Sequence, residues 1–245
     1  MKVYYLIKSK NNAMRKIILV LNIMIISFCS FAQQKPKVEK LFTESLMQSN
    51  CTFVATGRNT YFILEPNFQL VLDGMDGKDS VHLVITVLNE TKKIGNAETR
   101  VVEEHESVNG HLVEISRNYF TFCKETSSIY YFGEDVDIYK DGKVVSHESA
   151  WLAEGKNKAG VQIPGLVLLG SRFYQEIAPG VAMDRAEVLS VSETLVTKAG
   201  TFSNCLKLEE TTPLEPKAKD YKVYAPEIGL VQDGNLLLTK YGFVK

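Results

Sequence analysis

What this sequence lacks narrows it first. Beyond the first 32 residues it has no Lys/Arg-rich run, and over all 245 residues 28 basic side chains face 29 acidic ones. The first 32 residues hold five of the basic residues and no acid, so the remainder carries 23 basic and 29 acidic residues, a net charge of −6. A body of that sign repels a phosphate backbone, which argues against nucleic acid as a partner. No C-x-x-C occurs, so neither a redox dithiol nor a zinc ribbon is indicated. There is no G-x-S-x-G elbow, no G-x-G-x-x-G and no P-loop; no catalytic residue is assigned and no cofactor is expected. No helical pattern of 10–15 residues separates the apolar segments, which excludes a doubly wound α/β fold. No period of solenoid length is present either. What remains is an ordinary folded composition, 45% apolar and 23% charged.

At the N-terminus, Arg15 and Lys16 precede the apolar run Ile17–Phe28, and Ser30-Phe31-Ala32 is a small-x-small site before Gln33. This predicts a secretory signal over 1–32, with Met14 as an alternative start and the periplasm or extracellular space as destination. The rival reading is a membrane anchor. The charge-free stretch Ile17 to Gln34 is 18 residues, close to the roughly 20 a span needs. Its last third is polar, so cleavage is expected, with no transmembrane span thereafter. The mature chain keeps Cys51, Cys123 and Cys205, an odd number that leaves at least one thiol outside any internal disulfide. Cys123 ends an aromatic stretch and reads as a buried inert thiol, with a Cys123–Cys205 bridge as the alternative. Residues 33–50 form an N-terminal segment in which Leu41, Phe42, Leu46 and Met47 match a short helical turn. Residues 51–245 read as a single β domain.

From Phe68 on, short alternating segments rich in Val, Ile, Thr and aromatics follow one another. Examples are Phe68–Asp73, Val81–Leu88, Leu112–Phe122, Glu187–Thr197 and Asn204–Thr211. Asn109-Gly110 and Asp141-Gly142 supply the two positive φ angles of type I′ hairpins. The expected fold is all-β: an antiparallel meander of about ten or more strands, curled into a half-barrel, barrel or sandwich. The Gly- and Pro-containing stretch Ala153–Leu169 reads as the longest loop.

Two groups of residues are candidate sites. Counting outward from Asp141-Gly142, Lys140 pairs with Lys143 and Asp135 falls opposite Glu148, with Asp137 on the same face. Three such carboxylates need a cation, an internal ion pair (Arg185 is one candidate) or solvent. Asp135, Asp137 and Glu148 are therefore the candidate metal ligands, with His147 beside them. The aromatics Trp151, Tyr174, Tyr131 and Phe173 are the candidate ligand-binding set, on a concave face that needs an apolar cover. The run Glu103-Glu104-His105-Glu106 before a hairpin reads as a solvated edge. His82, His105 and His111 are scattered and read as surface or hydrogen-bonded residues, with a metal site of three or four histidines on adjacent strands as the alternative.

Tyr131-Phe132-Gly133-Glu134-Asp135-Val136-Asp137, His147-Glu148-x-Ala150-Trp151, Ala178–Glu187, Ala199–Lys207, Thr211–Pro216 and Tyr224–Val231 together resemble a family of exported bacterial β-rich proteins without an assigned biochemistry. Its closing segment is similar to that of periplasmic lipoprotein-carrier-like half-barrels. The resemblance covers roughly residues 59–242 and implies an open curved antiparallel sheet, with no catalytic residues to carry over. This chain has Lys198 where that pattern has Pro, and Glu227 and Asn67 where it has Gly. The reading is an exported envelope protein that binds a lipid, another amphiphile or an envelope protein on a curved sheet without catalysis. The alternatives are a hydrolytic or metal-dependent enzyme using Asp135, Asp137, Glu148 and His147, and a structural or assembly protein.

Overall fold

A computed structural model describes residues 40–46 and 48–245. Residues 1–39, which include the expected signal over 1–32, and Met47 lie outside the described residues. Lys40–Lys245 forms one compact unit. Its strands run in chain order: β1 Phe53–Val54, β2 Gly57–Asn59, β3 Phe62–Leu64, β4 Phe68–Asp76, β5 Asp79–Ile94, β6 Ala97–Val108, β7 His111–Cys123, β8 Ile129–Lys140 and β9 Lys143–Ser146. There follow β10 Trp151–Leu152, β11 Lys158–Ile163, β12 Arg172–Tyr174, β13 Glu176–Ile177, β14 Arg185–Thr197, β15 Gly200–Thr211, β16 Asp220–Ala225, β17 Gly229–Asp233 and β18 Leu236–Phe243. Among the described residues the only helix is the 3-10 turn Gln48–Asn50, and no helix is long and apolar enough to cross a membrane.

The expected all-β meander is what forms. One antiparallel path runs β12-β14-β15-β16-β17-β18-β4-β5-β6-β7-β8-β11-β13. Its two ends are the two halves of a single segment. Arg172–Tyr174 pairs with β14 and Glu176–Ile177 pairs with β11, with only Gln175 between them. The sheet therefore curls almost to closure as a barrel, which removes most of its open edge. At this seam Gly160 passes so close to Gln175 that a Cβ would lie 2.2 Å from the Gln175 carbonyl oxygen.

Local chemistry explains the strands. Along β5, Val81, Leu83, Ile85 and Val87 are buried at every second position while their neighbours face out, the period of a half-buried strand. Both Asx-Gly turns form as expected. Asn109 and Gly110 have φ of 51° and 79°, and Asp141 and Gly142 have 51° and 73°. Asn67 and Glu227, which replace glycines of the resembled pattern, keep positive φ of 68° and 62°. The turns thus retain the shape a glycine would favour.

Four sequence expectations are corrected. The segment Ala153–Leu169 is not simply a loop, because its middle is β11, paired to β8 and β13. Leu41, Phe42 and Leu46 form no helical turn; Thr43 instead bridges to Phe173, and Phe42 packs on Tyr174. Cys123 is not a free thiol, nor bridged to Cys205. It pairs with Cys51, while Cys205 is free and buried. That disulfide spans 72 positions and in the chain-entropy picture stabilises by about 4 kcal/mol. Finally, the ladder beyond Asp141-Gly142 slips. Lys140 pairs with Lys143 and Tyr139 with Val144, but Ile138 pairs with Ser146. A bulge there ends β9 before Glu148 can face Asp135.

Candidate functional site

The barrel interior is divided by polarity. One end is a small apolar chamber of ≈ 80 Å³, walled by Phe62, Leu70, Ile85, Phe120, Ile228 and Leu230 among others. The β2–β3 hairpin closes it, contributing Phe62 and Ile63. The other end is a polar cavity of ≈ 390 Å³, within the range of small-molecule sites. Phe120, Gln162, Glu104 and Lys222 border both spaces, so the two adjoin.

Strand alternation builds this gradient. On β7 the inward residues read Glu114, Ser116, Asn118 and Phe120, from acidic to aromatic in three steps of two. On β6 Val102 lines the apolar chamber and Glu104 both spaces, while Glu106 lines a further cleft that Glu104 shares. The expected solvated edge is thus half right. Glu103 and His105 pair with each other at 2.9 Å on the outer face, whereas Glu104 and Glu106 turn inward. On β8, Tyr131 and Glu134 both line the cavity although three positions separate them. The ladder between β7 and β8 shifts there, with Asn118 opposite Glu134 and Phe120 opposite Tyr131. Gly133 takes up the extra residue at φ 131°, and a Cβ on it would lie 2.2 Å from the Trp151 carbonyl oxygen. Only glycine lets β10 cross here.

The cavity is strongly acidic. Glu104, Glu114, Glu134, Glu176, Asp184, Glu210 and Glu215 all line it. Lys222 is the single basic residue lining it, and its ammonium is held by Glu210 at 3.2 Å and Asp233 at 3.6 Å. Gln175 donates to the same Glu210 at 2.8 Å. Burial pushes the Glu104 carboxyl up to about 7; Lys222 pulls it down, and Asp233, Glu134 and Glu114 push it further up. Burial likewise raises Glu134 to about 7, opposed by the hydrogen bond that the Tyr131 hydroxyl donates at 3.2 Å. Glu176 is raised well above the usual carboxylate range, first by burial and then by Glu134 and Asp184. Asp184, Glu114 and Asp233 are raised too, each chiefly by burial.

The sequence-derived candidates fare unequally. Of the four aromatics, Tyr131 lines the cavity, its one hydroxyl proton shared between Asn118 Oδ1 and Glu134 Oε2. Trp151 stands behind the wall, edge-on to Tyr131, with its indole N–H 3.4 Å from Glu176 Oε1. Phe173 is core, and Tyr174 packs on Phe42 away from the cavity. The carboxylates Asp135, Asp137 and Glu148 do not converge. Asp135 accepts from Lys92 at 2.9 Å and from Tyr119, while Asp137 meets Arg117 at 3.3 Å and His147 at 2.9 Å. Glu148 is exposed, and Arg185 lies over the Phe42 ring instead. Among the described residues the only three potential metal-ligand atoms within 4.8 Å of one another belong to Cys51, Cys123 and Glu125, and two of those are the disulfide. The expected metal site is therefore not assembled.

Segments far apart in sequence meet at the acidic cavity: 131–134, Ser149, 175–184 and 210–215. Their inward carboxylates were missed because each was read alone. The readable signal was period two, Glu104-x-Glu106 and Glu114-x-Ser116-x-Asn118, which places each set on one face. No protein-family model matches this chain, and no curated protein or solved structure matches it.

Proposed function

We propose that this protein is a non-catalytic binder of a small single-tailed amphiphile, held inside the barrel-like sheet rather than on its outer face. One observation carries the reading: the apolar chamber and the polar cavity adjoin, with Phe120, Gln162, Glu104 and Lys222 common to both. A tail lying between Phe62, Leu70 and Leu230 loses its contact with water, worth about 0.8 kcal/mol per methylene. The polar end then stays among groups that can hydrogen-bond it. Export to the envelope, and the resemblance to exported β-rich proteins, belong to the same proposal, since an envelope supplies amphiphiles.

The test uses N-phenyl-1-naphthylamine, a neutral apolar dye whose emission brightens and shifts to the blue in a dry site. One dye per chain, displaced by 1-octanol and lost in Leu70→Trp with an unchanged circular dichroism spectrum, is the expected result. Absence of dye binding to the folded wild-type protein overturns the reading. One observation favours a second reading, a hydrolase: carboxyls held near 7 have the proton affinity of general acids. No histidine or cysteine lines the cavity to act as partner. Turnover of chromogenic glycosides or esters that disappears in Glu134→Gln would establish that reading instead.

A further inference from the structure

We infer that the polar end of the bound molecule is an organic ammonium group, so that the ligand is a cationic amphiphile such as an alkylamine; this rests on the amphiphile reading above.

Three features of the cavity converge on that choice. The first is a set of acidic groups that outnumbers the cations the protein supplies. Lys222 is committed to Glu210 and Asp233, and no other basic side chain lines the cavity to meet Glu104, Glu134, Glu176 and Asp184. Asp184 is satisfied by the Thr212 hydroxyl. The carboxylate of Glu104 has no hydrogen-bond or ion-pair partner among the described residues, although it borders both chambers.

The second feature is Glu176. It is 8% exposed, lines the cavity, and has only its Oε1 engaged, by the long contact from Trp151. Its Oε2 has no partner among the described residues. With no cation beside it, a carboxyl buried to this degree takes up a proton rather than hold its charge, and an ammonium reaching it would let it ionise. Tyr131, Trp151 and the Gly133 crossing hold Glu134 and Glu176 in place, so the anionic end is preorganised rather than a loose surface cluster.

The third feature is the neighbouring apolar chamber, which demands a tail and so excludes a simple inorganic cation as the whole ligand. The carboxylate spacing agrees: no three of these oxygens lie within 4.8 Å of one another, whereas Ca²⁺ gathers six to eight oxygens at about 2.3–2.6 Å. An ammonium donates three hydrogen bonds in diverging directions, and carboxylates spread around a 390 Å³ cavity suit it better than they suit a metal. An alkyl carboxylate or sulfate would meet like charge at every wall except Lys222.

Isothermal titration of the full mature chain at pH 8 with octylammonium, 1-octanol and octanoate separates these cases at one tail length. The expected order is octylammonium at least tenfold tighter than octanol, with octanoate weakest. The expected response of the double variant Glu134→Gln, Glu176→Gln is that the octylammonium advantage over octanol disappears. Equal binding of octylammonium and octanol overturns the ammonium inference and leaves the amphiphile reading standing. Tightest binding of octanoate also overturns it and assigns the head group to Lys222. Binding of none of the three overturns both. If the double variant fails to fold, Glu104→Gln alone is used, with the same loss of preference expected and its persistence counting against the inference.

Discussion

Glu134 and Asp135 are neighbours on β8 and differ in every respect that matters for function. Asp135 faces out. Burial tends to raise its pKa, but hydrogen bonds from Lys92 and Tyr119 outweigh that and hold it below the usual carboxylate range. Glu134 faces in, has no cation beside it, and is pushed up to about 7. The outer carboxylates belong to a solvated network of ion pairs: Lys92–Asp135, Glu103–Arg117 and Arg117–Asp137–His147. The inner ones share one lysine. Acidic residues on two faces of one sheet are thus a stabilising mesh outside and an electrostatic cost inside. A cost retained in a cavity is the usual mark of a binding or catalytic site rather than of a scaffold.

The largest expected effect comes from removing the one inner cation. Lys222→Met leaves Glu210 and Asp233 without their partner. Breaking such a pair should lower unfolding stability by about 3 kcal/mol at pH 8, and by clearly less at pH 5, because Asp233, already raised by burial, takes up a proton more readily there. Urea denaturation at the two pH values reads this. Equal losses at both would mean that Lys222 acts through packing alone.

The next effect has the opposite sign. A carboxyl raised to about 7 in the folded state and near 4.5 when unfolded holds a proton that unfolding releases. Its contribution is most favourable below about pH 4.5 and declines as pH rises toward 7. The slope approaches about 1.4 kcal/mol per pH unit for each such group. Glu104→Gln and Glu134→Gln should therefore each stabilise at pH 8 by about 1–2 kcal/mol and change little at pH 4.5. Asp135 and Glu187, lowered in the folded state, act oppositely. Their contribution is present above the unfolded value near 4 and lost as pH falls through the folded one. The wild type should accordingly be most stable near pH 5, and the double glutamine variant should show a flatter profile up to pH 8. A wild-type optimum at or above pH 7 would contradict the contrast between the faces.

The smallest effect tests the outer face. Asp135→Asn removes the ion pair with Lys92, but the Asp135 side chain is 52% exposed. Screened by solvent, the pair is worth under about 1 kcal/mol, so thermal unfolding should shift by a few degrees at most and ligand binding not at all. A loss of octylammonium affinity in this variant would show that the two faces are coupled.

Much of the fold was legible because its signals are local. Alternation along β5 and β7, and the Asx-Gly turns at 109–110 and 141–142, specify strand, face and neighbour from a few adjacent residues. The candidate site was legible only in fragments. Tyr131 was found, but Trp151 proved to be its support, and Phe173 and Tyr174 lie elsewhere. The disulfide from Cys51 to Cys123 and the pairing of β11 across the barrel join residues that no local pattern connects.

β8 shows where sequence stopped deciding. Unbroken alternation from Tyr131 would put Asp135 and Asp137 on its face, and hairpin counting would put Glu148 opposite Asp135; both inferences assume an unslipped ladder. The shift at Gly133 gives the inward place to Glu134 and sends Asp135 to Lys92. The second shift at Ile138 carries Glu148 out of register. The sequence by itself determined that this chain is a meander of antiparallel strands, because strand period and turn chemistry are properties of neighbouring residues. Which carboxylates meet inside was decided by two bulges and by the closure of the sheet around Gln175. Moving a strand by one residue changes the face of every side chain beyond it, and only packing against distant strands sets where that step falls.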